Sequence, residues 1–212
     1  PYVKPLLNLR EYLYVVTKLL HEGEVEFSGT FVKTKATIPG APFDVPVMAS
    51  ALRPASFRLC GELADGAISW VSPWEYLRDI ALPAMAEAAG AAKRATPVLV
   101  AHVPVALTED RDAVRQAAGS FLGRYASLPN YQGMFAAAGY HDVASGDRNA
   151  LVDALVVRGK DSEIIERLAQ IVHEGAGEII AHPIFTDEDR DGYMQRFYDV
   201  IARANKATGI TA

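Results

Sequence analysis

The spacing of apolar and polar positions changes period several times along the chain. Leu9, Tyr12, Leu13, Val16, Leu19 and Leu20 recur at helical spacing, with Asn8 as a candidate cap, Glu11 in the first turn and Gly23 as a stop. From residue 24 the period falls to two. Val25 and Phe27 alternate with Glu24 and Glu26, and Phe31 and Val32 follow the turn-like pair Ser28-Gly29, so a hairpin is predicted inside an insertion spanning 24–44. Pro39, Gly40 and Pro42 then make an irregular connection. Beyond it, continuous apolar runs at 46–51, 67–71, 98–106 and 178–182 predict buried strands. Helical patterns fall at 54–64, 74–92, 108–127, 161–173 and 187–206. Residues 130–157 predict a helix at 131–138, a loop at 140–147 and a short helix at 148–155. Strands that are apolar throughout and alternate with helices need cover on both faces. The pattern therefore predicts a parallel α/β sheet, either open and doubly wound or closed into a (β/α) barrel.

Composition narrows the function classes. Half of the 212 residues are apolar, enough for a substantial core. The net charge is -5 with both signs interspersed, and no basic stripe exists, which argues against a nucleic-acid partner. No apolar run reaches the roughly 18 residues that a membrane span needs, and no signal-peptide pattern opens the chain. Cys60 is the only cysteine, so an internal disulfide and a cysteine-built zinc site are excluded, and a reducing, cytoplasmic setting is expected. The sequence starts with Pro1 rather than methionine, which leads to the expectation of a processed product or a piece of a longer chain.

In parallel α/β folds ligands gather at the carboxyl ends of the strands. The corner Ala51-Leu52-Arg53-Pro54 stands at such an end. Pro54 suits the first turn of a helix, where a missing N–H costs nothing. The amides of Leu52, Arg53, Ala55 and Ser56, the helix dipole and the Arg53 guanidinium would together favour a phosphate. The same residues also fit a solvated arginine beside a proline that merely starts a helix. Trp70 and Ser72 follow the second strand, where Trp70 fits either a stack on a planar cofactor ring or packing under a loop, and Trp74 fits packing. His182 closes the last strand, as a group for substrate or as a solvated helix-end histidine. His102 lies inside a strand and reads as a core histidine. His21 and His173 lie at helix ends, where an imidazolium complements the dipole. Metal-protease, phosphate-loop, serine-hydrolase and dinucleotide fingerprints are absent from the sequence. Tyr125, Tyr131, Met134, Phe135 and Tyr140 form an aromatic stretch that fits core packing, a cover over the site or a partner contact.

The run from Pro46 to Pro54, followed by Cys60-Gly61-Glu62-Leu63-Ala64-Asp65-Gly66, resembles the luciferase-like monooxygenase superfamily, whose members show Ala-Gly-x-x-Ala-Asp-Gly before a strand. Leu9 to Leu13, Phe27 to Phe31 and Val156 to Lys160, with Gly159 to Leu168 behind it, are similar to other family stretches. The superfamily includes bacterial luciferase, flavin monooxygenases and deazaflavin-dependent oxidoreductases. The resemblance implies a TIM (β/α)8 barrel of which this chain is the carboxyl-terminal part, a single domain over 1–212 with the N-terminal strands missing. It implies a flavin- or deazaflavin-dependent oxidoreductase or monooxygenase that uses FMN or the deazaflavin coenzyme F420 on a small-molecule substrate. The cofactor phosphate would sit at Ser50, Ala51, Leu52 and Arg53, the ring end near Trp70 and Ser72, and substrate near His182. Many deazaflavin members carry glycine where Arg53 stands. No catalytic residue is assigned, because the family's missing strands carry much of the pocket. The alternative is a truncated remnant, or a binding or structural relative, without turnover. A partial barrel would leave inner-face residues such as Val47, Ala49, Ile68 and Val100 or Ala101 uncovered, so association into a homo-oligomer is expected.

Overall fold

The computed structural model describes residues 3–209, apart from 142, 147, 187 and 188 and the side chain of residue 120. The chain divides into two compact units: one from residues 1–68 and 81–98, the other from 69–80 and 99–212.

In the first unit, helix α1 (Pro5–Glu22) starts at Pro5, one turn before the predicted cap, and Asn8 donates its amide to the Lys4 carbonyl. Proline is preorganised for a first helical position, and that displaces Asn8 from the cap role. Gly23 ends the helix at φ 87°. Strands β1 (Glu24–Ser28) and β2 (Lys33–Thr37) form the predicted antiparallel hairpin. Its turn is held by Glu11, a buried α1 carboxylate that accepts the amides of Thr30, Phe31 and Val32 at 2.8, 2.7 and 2.9 Å. Burial pushes the Glu11 carboxyl up, but the backbone donors outweigh it and leave it below its ordinary value.

Strand β3 (Met48–Ser50) pairs in parallel with β4 (Gly66–Ser69), Met48 opposite Gly66 and Ser50 opposite Ile68. Helix α2 (Pro54–Leu63) joins them and packs on α4 (Leu82–Ala91). The close approach explains Gly61: a Cβ there would meet the Met85 carbonyl oxygen at 2.3 Å and the Ala88 Cβ at 3.1 Å. Asp65 closes this crossover by accepting the Val47 amide at 2.9 Å and Arg94 at 3.0 Å. The Ala-Asp-Gly stretch is thus a structural clamp.

In the second unit, β5 (Val98–Ala106, entering the unit at Leu99) pairs in parallel with β7 (Glu178–Pro183) from Val100–Glu178 to Val105–Pro183. A strand of two residues, β6 (Val157–Arg158), also parallel, borders the end of β5; it is too short for a periodicity signal. Helices α5 (Arg111–Ala126), α6 (Pro129–Ala137), α7 (Asn149–Leu155), α8 (Asp161–His173) and α9 (Arg190–Ala207) complete the unit. Asp110 caps α5, two residues inside the predicted start at 108, its carboxylate accepting the amides of Asp112 and Ala113. Residues 187 and 188, where the last helix was expected to start, lie outside the described residues. The predicted helix 74–92 is broken into α3 (Trp74–Tyr76), a wide π turn at Leu77–Ala81 and α4. Pro83 accounts for the break: it has no N–H to offer Asp79, and its ring would press on that carbonyl.

The expectation of an uncovered Val47, Ala49, Val100 and Ala101 is corrected: all four are buried, and Ile68 is half-buried. The Cys60 thiol on α2 lies 4.0 Å from the Ala49 backbone carbonyl. In the parallel strands the exposed positions are Ser50, Val98, Glu178 and Ile180. Burial holds the Cys60 thiol up at about 11, so it is an unreactive core group.

Candidate functional site

The corner at the end of β3 is built as the sequence implied, with one change. Pro54 opens α2, and Ala51 extends the parallel ladder by donating to the Ile68 carbonyl at 3.0 Å. Of the four amides expected to face an anion, Leu52 and Arg53 both donate to Ser56 Oγ, at 3.0 and 3.1 Å, and the Ser56 amide bonds the Arg53 carbonyl at 2.9 Å. Ser56 returns its hydroxyl proton to the same carbonyl at 2.8 Å. A serine at the third helical position reaches back to the cap, as capping pairs do. The Ala55 amide alone of the four has no partner among the described residues. The Arg53 guanidinium is exposed and forms no ion pair among the described residues. The corner therefore offers an anion a free side-chain fork and one amide rather than a cradle of four.

Trp70, Ser72 and His182 belong to the second unit, and the fold brings Trp70 and His182 to 6.3 Å between ring centroids. They are members of a closed circuit of five side chains from β4's end, β5, β7 and α5. Trp70 lies 3.7 Å from His102, His102 5.3 Å from His182, and His182 is stacked 5.3 Å from Phe121. Phe121 touches Tyr125 at 5.2 Å, and the Trp70 indole N–H closes the circuit by donating to the Tyr125 hydroxyl at 2.8 Å. His102 is buried, whereas Trp70, Phe121, Tyr125 and His182 are half-buried, and Ile180, the register partner of His102, is exposed. Register explains the two imidazoles: His102 pairs with Ile180 and Pro104 with His182, so both histidines share one face of the sheet, two positions apart.

Both imidazoles are neutral at pH 7. Burial, with the neighbouring His182 adding to it, holds His102 down at about 4, and burial also lowers His182. His102 is not the satisfied core histidine that its strand position suggested. Nδ1 accepts a long bond from the Val71 amide at 3.4 Å, and buried Nε2 has no partner among the described residues. Ser72 is buried, donates to the Trp70 carbonyl at 3.4 Å, and lines a cavity of about 600 Å³ together with Trp74, Arg158, Gly159 and Arg167. Trp74 packs as expected and donates to Glu174. His21 and His173 bond the backbone carbonyls of Val45 and Thr208. In the aromatic stretch, Met134 and Phe135 are core, while Tyr125 joins the circuit and burial lifts the neighbouring Tyr131 hydroxyl to about 12. Phe121 was missed because an aromatic on one amphipathic helix carries no signal of which strand it will meet. No helix among the described residues is long and apolar enough to cross a membrane, and no cluster of metal-ligand type occurs among them.

Parallel strand–helix units define an α/β protein. The family profile described as luciferase-like monooxygenase matches residues 1–178, and the chain belongs to that family. A 5,10-methylenetetrahydromethanopterin reductase of Archaeoglobus fulgidus is 23% identical over 88% of this chain and 63% of its own length. An F420-dependent secondary alcohol dehydrogenase, solved with an F420-acetone adduct, superposes with a TM-score of 0.69 at 16% identity, over 96% of this chain and 63% of that one. The oxygenating constituent of 3,6-diketocamphane monooxygenase from Pseudomonas putida, solved with FMN, superposes with a TM-score of 0.54 at 17% identity, over 88% of this chain and 59% of that one. The chain thus spans about three-fifths of the length of these relatives.

Proposed function

We propose that this chain is the carboxyl-terminal part of a (β/α)8 oxidoreductase that works with FMN or coenzyme F420 on a small organic substrate. The observation that carries the reading is the ring circuit at one strand end, with four half-buried aromatic or imidazole rings and both imidazoles neutral. A flat, extended ring system fits such a surface better than a sugar or a free anion does. At the first unit's corner, the exposed and unpaired Arg53 fits a phosphate, assisted by the Ala55 amide, and Ser50, Ala51 and Leu52 form the adjoining backbone. In the second unit Trp70 and Ser72 would meet the ring and His182 the substrate. The bound cofactor supplies the hydride or oxygen chemistry. The protein's own groups bind, orient and exclude water, and a neutral His182 offers either a donor or an acceptor to an uncharged substrate.

The partial-barrel reading is supported by the parallel pairs and by the share of the relatives' length that the chain spans. It is also supported by an apolar groove of about 500 Å³ between β7, α8 and α9, lined by Leu168, Ile179, Tyr198 and Ile201. The test is a titration of FMN and of F420 into the protein made from its complete reading frame, followed by cofactor fluorescence. Saturable quenching by one of them is the expected result. No binding of either would favour the remnant without turnover.

A further inference from the structure

Three local features converge on one residue of the second unit. Val71 has φ 51°, in the left-handed region that a β-branched side chain rarely enters. Its amide points at His102 Nδ1, 3.4 Å away. The His102 ring lies under the indole of Trp70, with centroids 3.7 Å apart and planes 30° from parallel. Strained backbone persists where the surroundings over-determine it, and it concentrates at functional sites. Here the strained residue sits between Trp70 and Ser72, so its φ sets the directions in which those two side chains leave the backbone.

We propose that His102 is a positioning residue for the Trp70–Ser72 corner. Its imidazole holds Val71 in the left-handed conformation through Nδ1 and backs the indole face, so that Trp70 and Ser72 are presented in one orientation. The role demands one tautomer. Nδ1 must be the acceptor, which places the ring proton on Nε2, the atom with no partner among the described residues. It also demands a neutral ring, because an imidazolium has no acceptor. The surrounding groups agree: Trp70, Phe121 and His182 face the ring, and none of these three carries a charge when His182 is neutral. Tyr125 fixes the far edge of the indole at Nε1. The indole is thus held at its face by β5 and at its edge by α5. That the corner serves a cofactor ring rests on the function proposed above; that His102 sets the corner does not.

The test separates these two statements. In a Trp74→Phe background, Trp70 is the only tryptophan, and its emission maximum and acrylamide quenching report its setting without any ligand. His102→Leu should shift the emission to the red and raise quenching. His102→Asn, which keeps an acceptor near Nδ1, should restore most of the parent signal. Val71→Gly should rescue His102→Leu, because glycine takes positive φ without help. If leucine unfolds the chain, His102→Phe, which keeps the stack and loses only the acceptor, poses the same question. An unchanged Trp70 signal, or no rescue by Val71→Gly, would overturn the proposal, since a histidine that merely filled space would not be relieved by a glycine two elements away. In the complete protein, His102→Leu should weaken FMN or F420 binding about ten-fold, the worth of one ordinary hydrogen bond, and Val71→Gly should recover it. If the parent itself binds neither cofactor, the functional reading fails while the ligand-free fluorescence still decides the role of His102.

Discussion

His102 should make the fold sensitive to mild acid. An ordinary histidine titrates near 6.5, and burial holds this one at about 4. Between these values the unfolded chain binds a proton that the folded chain refuses, so stability rises with pH across the window and is lost as pH falls from 6.5 toward 4. The whole difference corresponds to about 3 kcal/mol, of which about 2 kcal/mol is already lost at pH 5. Carboxylates held below their ordinary values, Asp153 and Glu174 among them, lose their stabilisation only at lower pH, so the two effects separate. His182 is lowered by burial too and acts with the same sign. The informative quantity is therefore the difference between the parent and His102→Asn. Urea unfolding followed by far-ultraviolet circular dichroism at about pH 7 and about pH 5 should show the parent losing about 2 kcal/mol more than the variant. Parallel pH profiles of the two proteins would refute the reasoning, because they would mean that folding does not depress the His102 pKa.

Four further outcomes are expected. Arg53→Ala should weaken binding of the phosphate-bearing cofactor by about 1.5–3 kcal/mol with little change in stability; equal FMN and F420 affinities of variant and parent, by fluorescence titration, would remove Arg53 from the site. Gly61→Ala should destabilise the chain by about 1–3 kcal/mol, because the new Cβ meets the Met85 backbone carbonyl, which cannot turn aside; an unchanged melting temperature would show that α2 and α4 can slide apart freely. Glu11→Gln should leave the hairpin turn weakly anchored, and amide exchange at Thr30, Phe31 and Val32 should quicken by about ten-fold. The Glu11 contribution in the parent is present above its ordinary value of 4.5 and lost as pH falls through its lower folded value. Residues 1–212 alone should associate through the apolar groove beside Tyr198, which is 63% exposed; light scattering that finds a cooperatively folding monomer at every concentration would count against the partial barrel.

The sequence by itself determined the order of elements and their type. Buried parallel strands are apolar throughout, and helices repeat their apolar positions every three or four residues, so 98–106, 161–173 and the hairpin from residue 24 were legible within a residue or two. It also carried the family resemblance, and two of the residues in that stretch, Gly61 and Asp65, answer to the local geometry of this chain's own crossover. The tertiary structure decided what a one-dimensional pattern cannot carry. Asn8 lost its cap role to Pro5, and β6 is too short to have a period. The amides of Leu52 and Arg53 were satisfied by a serine hydroxyl a few residues on, which composition could not foresee. His102, read as an ordinary core residue, gained its character only from register: pairing with β7 set it beside His182, and the chain reversal at Val71 laid Trp70 on its face. Periodicity reports whether a side chain turns inward; which other inward side chain it meets is fixed by strand register and helix docking, and these depend on contacts between residues far apart in the chain.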